Sequence, residues 1–119
     1  MAHGGTDLTD IRSGTIAEAI ENGDVAIRRL VEEASKTIGI AVVNIVHLLA
    51  PDRIILGGGL VEAMEEMILN TVKRTAKKHV MHAYRDRFDV VAAKLGDDAS
   101  VLGAAAWVKH HVMSASNQR

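Results

Sequence analysis

Three consecutive glycines, Gly57-Gly58-Gly59, follow the apolar run Arg53-Ile54-Ile55-Leu56 and precede a periodic apolar stretch. A strand-to-helix turn with no Cβ lets backbone amides approach a ligand closely, and the positive end of the next helix favours phosphate. The fuller phosphate signatures are missing. A dinucleotide fingerprint needs G-x-G-x-x-G, but Val61 and Glu62 stand where its last glycine would be sought. A Walker loop needs Gly-Lys-Ser/Thr, but no lysine follows these glycines. The same three residues also fit a tight turn with no ligand.

A second turn, Gly96-Asp97-Asp98-Ala99-Ser100, puts carboxylates at the head of a final helix. There they serve as N-cap and dipole partners, and a magnesium role would require a nucleotide nearby. Gly103-Ala104-Ala105-Ala106 gives that helix a small-residue face for a neighbour or a flat ligand. His3-Gly4-Gly5-Thr6 resembles a phosphate-binding turn, but no apolar strand precedes it and Ala2 occupies the place of the leading acid. His79 and His82 could share a helix face, yet no third ligand accompanies them, and with His110 and His111 they are expected at the surface. The basic cluster from Lys73 to Arg87 fits a solvated helix end.

Composition narrows the classes. The chain has 119 residues, one domain's worth at most, and is 48% hydrophobic and 24% charged, which places it among globular proteins. Fourteen basic residues against fifteen acidic ones leave a formal charge of -1, and aromatics are 3%. Neither value favours nucleic acid or an anionic membrane as a partner. Cysteine is absent, which excludes disulfides, thiolate zinc and a cysteine nucleophile. The apolar run from Ile38 to Ala50 is interrupted by Asn44 and His47 and is too short to span a bilayer. No basic stretch with an apolar core opens the chain, so a soluble, cytoplasmic protein is expected.

The elements that would position these residues follow from periodicity. Residues 1–10 read as a flexible lead-in or an expression scar. Ile11 to Glu21 is a short amphipathic helix ended by Asn22-Gly23, and Asp24 is placed to cap the next helix. That helix, Val25 to about Leu49, carries apolar residues at Ile27, Leu30, Val31, Ala34, Ile38, Ala41, Ile45 and Leu48. Its second half is expected to be buried, with Gly39 and Ala41 admitting a close neighbour, and Pro51 stops it. Arg53 to Leu56 reads as a buried strand, Leu60 to His79 as a third helix, and Phe88 to Leu95 as a second strand. A final helix runs from Ala99 to about Val112, with a frayed tail over 114–119. The order is α-α-β-α-β-α with a short parallel sheet, an α/β arrangement too small to stand alone.

Three stretches together resemble the C-terminal part of the ROK family of bacterial sugar kinases and sugar-responsive repressors. They are Ile38 to Pro51, Asp52-Arg53-Ile54-Ile55-Leu56-Gly57-Gly58-Gly59, and Leu95 to Ala106, and the match covers about residues 10–112. The resemblance implies part of an actin-like, ribonuclease-H-like lobe, with residues 11–113 as the segment. By that likeness Gly57, Gly58 and Gly59 fall on the family's adenosine-side turn, and Gly96 lies near the same cleft. The family's Asp-x-Gly-Gly-Thr turn, its hexose-deprotonating aspartate, its Glu-x-Gly-His stretch and its cysteine-rich zinc loop have no counterpart here. The implied function is the nucleotide-side segment of an ATP-dependent, glucokinase-like hexose kinase, not catalytic alone. No catalytic residue or metal ligand is assigned to it. The intact parent would use ATP with Mg2+, whereas the segment requires no cofactor. Its implied partners are the missing N-terminal lobe and a second copy of itself, with nucleotide and hexose bound by the parent. Two other outcomes are the sugar-sensing, dimerising segment of a ROK repressor and a ligand-free association module.

Overall fold

The structure, a computed structural model, describes residues 11–117. The lead-in at residues 1–10, including His3 to Thr6, lies outside the described residues.

Helix α1 (Ser13–Glu21) ends at Asn22, and Gly23 takes a left-handed φ of +88° that turns the chain. Asp24 then caps α2 (Val25–Leu49), its carboxylate accepting the Ile27 N–H at 3.0 Å. Ala50 closes α2 in the left-handed region with φ 46°, and Pro51 follows. Strand β1 (Arg53–Leu56) leads through the glycine turn to α3 (Gly59–Ala63) and α4 (Glu65–His79). A 3-10 turn (His82–Tyr84) precedes β2 (Asp89–Ala92), and a second (Gly96–Asp98) leads into α5 (Ala99–Ser116). The strands pair in parallel, with Arg53 opposite Asp89 and Leu56 opposite Ala92.

Several features depart from expectation. The third helix is broken at Met64 (φ −137°, ψ 42°), so the order becomes α-α-β-α-α-β-α. The apolar spacing of Leu60, Val61, Met64, Met67, Ile68 and Val72 continues across the joint, which hides the break from periodicity. The second strand has four residues instead of eight because β1 offers four to pair with. Ala93 adds one bond to the Leu56 carbonyl at 2.8 Å before the chain turns away. Helix α5 continues to Ser116, past the expected end at Val112 and into the tail expected to fray; residues 118–119 lie outside the described residues.

The fourth departure is in α2. Its buried residues are Ser35, Gly39, Val42, Val43 and Val46, which face α4. Most of the expected core stripe points outward instead: Leu30, Ile38, Ile45 and Leu48 are exposed, and so is Ala41. Small residues win the inward face because the helices cross closely. A Cβ on Gly39 would lie 2.6 Å from Thr75 Cβ. The core forms where α2, α4 and one side of the sheet meet, through Val42, Val46, Ile68, Val72 and Val90. Ile54, Leu56 and Ala92 pack onto it, whereas Ile55, on the other side of the sheet, is 64% exposed, so β1 is covered on one face only and is not the buried strand expected.

Helix α5 has no buried residue and packs chiefly on the 3-10 turn at its root. The radius of gyration, 18.7 Å, exceeds the roughly 13–14 Å of a compact chain this long. A helix apolar on nearly all sides normally lies buried. No described helix is long and apolar enough to cross a membrane.

Candidate functional site

At the C-terminal ends of both strands the two glycine turns meet. They border a cleft of about 310 Å³ whose lining includes Leu56, Gly57, Gly58, Glu62, Glu65 and Gly96. Ligands of open parallel sheets bind at this end of the strands. Of the four glycines singled out in the sequence, Gly57, Gly58 and Gly96 line the cleft, while Gly59 opens α3 beside it.

Each lining glycine is constrained differently. Gly58 has φ +111° and ψ 158°, a conformation essentially reserved for glycine, and its carbonyl accepts the Glu62 N–H at 3.1 Å. Gly57 has no positive φ, and a Cβ there would meet Ala93 Cβ at 3.5 Å, an ordinary contact. Gly96 has φ +54°, and a Cβ there would lie 2.7–2.9 Å from the Glu62 carboxylate. The Glu62 carboxylate therefore packs on the bare α carbon of Gly96 and joins α3 to the turn that begins α5.

The electrostatics of the cleft bear on the phosphate reading. Helix α3 has only five residues, so little dipole gathers at the glycine turn. Among the described side chains lining the cleft, Glu62, Glu65 and Asp98 supply three carboxylates, and Lys94 is the one cation. That balance opposes an anion. Sequence reasoning missed Glu62, Glu65 and Lys94 as lining residues. The available signal was position, because both glutamates lie within two turns of the glycines and Lys94 lies two residues from the end of β2. Asp98 lines the cleft as well. It stands at the N-cap of α5 but makes no side-chain cap bond, because the 3-10 turn runs straight into the helix. Among the described residues the small-residue face of α5 is exposed, and Gly103 meets nothing within 4 Å.

The described histidines do not converge on one site. His79 donates from Nδ1 to the Thr75 carbonyl at 2.9 Å, and His111 likewise to the Trp107 carbonyl at 3.1 Å. His47, which the sequence did not single out, accepts the Met81 N–H at 3.0 Å and ties the end of α2 to the loop after α4. No group of three or more metal-ligating side chains occurs among the described residues. In the basic cluster, Lys73 reaches Asp89 at 3.3 Å, and Arg74, Lys77 and Lys78 are exposed. The Asp89 carboxyl is held below its usual range, chiefly by the Val90 N–H that it accepts at 2.8 Å, with Lys73 assisting. Asp89 lies at the opposite end of the sheet from the cleft.

A family profile described as "ROK family" matches residues 2–111. The chain is 26% identical over 95 residues to a glucokinase of Thermotoga maritima, covering 80% of this chain and 30% of that protein. It is 30% identical over 103 residues to a beta-glucoside kinase of Klebsiella pneumoniae, covering 86% and 32%. A crystal structure from Cytophaga hutchinsonii, a protein with a provisional sugar-kinase assignment, superposes with a TM-score of 0.69 at 27% identity, covering 86% of this chain and 34% of the other. The chain thus spans about a third of the length of the relatives it matches.

Proposed function

The chain belongs to the ROK family, and on that footing we propose that it is the C-terminal, nucleotide-side segment of an ATP-dependent hexose kinase, inactive by itself. The observation that carries the proposal is the cleft bordered by Gly57 and Gly58 on one side and Gly96 on the other. Its volume is at the small end of ligand pockets, suited to part of a nucleotide with the rest held elsewhere. The kinase names of the relatives favour this over a repressor.

In the parent, ATP with Mg2+ is the phosphoryl donor and a hexose hydroxyl the acceptor. Deprotonation of the sugar and most of the grip on the phosphates fall to parts of the parent outside this segment. The bare sheet face at Ile55 and the uncovered α5 support a partial actin-like lobe that the rest of the parent completes. The outward apolar stripe of α2, from Leu30 through Ile38 and Ile45 to Leu48, supports a homodimer. The parent works in the cytoplasm, where ATP is kept.

Two measurements test this. Titrating isotope-labelled chain with ATP is expected to shift the amides of Gly57, Gly58 and Gly96; unmoved amides would refute the nucleotide assignment and favour a ligand-free module. A coupled assay with glucose and ATP is expected to stay at background, and glucose-dependent ADP formation would refute the inactivity.

A further inference from the structure

We propose that His47 is a pH-sensitive latch: its neutral imidazole fastens the loop between α4 and β2 to the end of α2, and protonation lets that loop go. The latch lies away from the cleft and does not depend on what the cleft binds.

The hydrogen bond itself defines the protonation state it needs. The Met81 N–H donates to His47 Nε2 at 3.0 Å, joining residues 34 positions apart. A backbone amide can only give a proton, so Nε2 must present a free lone pair and the ring proton must sit on Nδ1. The imidazolium carries a proton on both nitrogens and accepts nothing. His47 is exposed, so solution pH reaches the ring directly. It also stands in the last turn of α2, whose negative end offers carbonyl oxygens to a charged ring. Protonation thus removes one partner and supplies another, which gives the side chain two distinct settings.

What the latch holds is the start of a turn. The Met81 carbonyl accepts the Tyr84 N–H at 2.9 Å, and the Tyr84 carbonyl accepts the Arg87 N–H at 3.0 Å, which brings the chain to buried Phe88 and to β2. The His47 and Tyr84 rings lie 6.0 Å apart, so one side chain borders both ends of the 3-10 turn. Other charged and titratable groups stand on the elements around it. Lys77, Lys78 and His79 close α4, His82 and Arg85 lie in and just after the 3-10 turn, and Asp52 and Arg53 follow α2. Among the described residues none of these forms an ion pair with His47. His79 is engaged with the Thr75 carbonyl at 2.9 Å. His82 is the other imidazole in the loop, and the test removes it.

The isotope-labelled 119-residue chain is titrated from about pH 8 to about pH 5 and followed by NMR at the Met81 amide and the His47 ring. The Met81 amide proton is expected to move upfield with the same midpoint as the His47 ring. Its protection against exchange with water, corrected for the intrinsic effect of pH, is expected to fall about three- to tenfold, the size of one net hydrogen bond. His47→Gln places an acceptor that does not titrate where Nε2 stands, and is expected to keep Met81 protected at both ends of the range. His47→Phe keeps a ring beside Tyr84 without an acceptor, and is expected to leave Met81 poorly protected throughout. His82→Gln is expected to leave the Met81 titration unchanged. Both histidines are exposed, so the substitutions spare the core. A Met81 amide that ignores the His47 midpoint in the wild-type chain would overturn the latch. So would one that still titrates in His47→Gln, or one that stops titrating in His82→Gln.

Discussion

Replacing Gly58 by alanine isolates the backbone strain at the glycine turn. With φ +111° and ψ 158°, Gly58 occupies a region that costs a residue bearing a Cβ about 1–3 kcal/mol. Nothing lies within 4 Å of the added Cβ, so no clash contributes. The smaller entropy of an alanine-containing unfolded chain returns roughly 0.4–1 kcal/mol. The net loss should be about 1–2 kcal/mol, equivalent to a fall of roughly 4–10 °C in the melting temperature at this chain length. Gly57→Ala is the matched control, because Gly57 has no positive φ and its Cβ would make only an ordinary 3.5 Å contact with Ala93. It should change stability by less than about 1 kcal/mol. Thermal unfolding followed by circular dichroism measures both. Equal melting temperatures for the two variants would refute the conformational distinction between adjacent glycines on which the shape of the cleft depends.

Gly39→Ala places a Cβ 2.6 Å from Thr75 Cβ and 3.1 Å from the Val72 carbonyl, so overpacking of about 1–3 kcal/mol should exceed the helix-propensity gain of about 1 kcal/mol and lower stability in urea melts. Ala50→Gly should raise stability by about 0.5–1 kcal/mol in the same assay, because φ 46° at the end of α2 suits glycine. Asp89→Ala should cost a few tenths to about 1 kcal/mol at pH 6. A carboxyl held low in the fold contributes stability above its unfolded pKa and loses it as pH falls through the folded value, so the gap between wild type and variant should close as pH falls below the usual carboxylate range in denaturant melts. Ile45→Glu with Leu48→Glu should convert a self-associated species into the 12.8 kDa monomer by sedimentation velocity, since both residues lie on the outward stripe of α2.

Local chemistry made much of the backbone legible. Asp24 as a cap, Asn22-Gly23 as a stop, the extent of α2 and the position of β1 all depend on residues close in sequence, and each stands as expected. Parallel pairing followed from the helical crossover. What could not be read depends on the partner each residue meets. Ser35 looks like a poor core residue, and Ile38 and Ile45 look like core, until α4 is found on another side of the helix, whereas Gly39, expected to admit a close neighbour, does meet Thr75. Gly57, Gly58 and Gly96 were identifiable as candidate lining, because strand-glycine-helix turns are written locally. The acidity of the cleft was hidden, since Glu62 and Glu65 belong to a helical stretch and meet Lys94 and Asp98 only through the pairing of the two strands.

Helix α5 leaves the body at Gly96–Asp98, the same turn that walls the cleft, and touches little else of its own chain. At 1.5 Å per residue its eighteen residues extend about 27 Å. A rotation of about 10° at that root would swing the far tip by roughly 5 Å, around one helical turn. In the isolated chain a displacement at the cleft wall too slight to see locally would become large at Ser116, where a probe on the tip would report it.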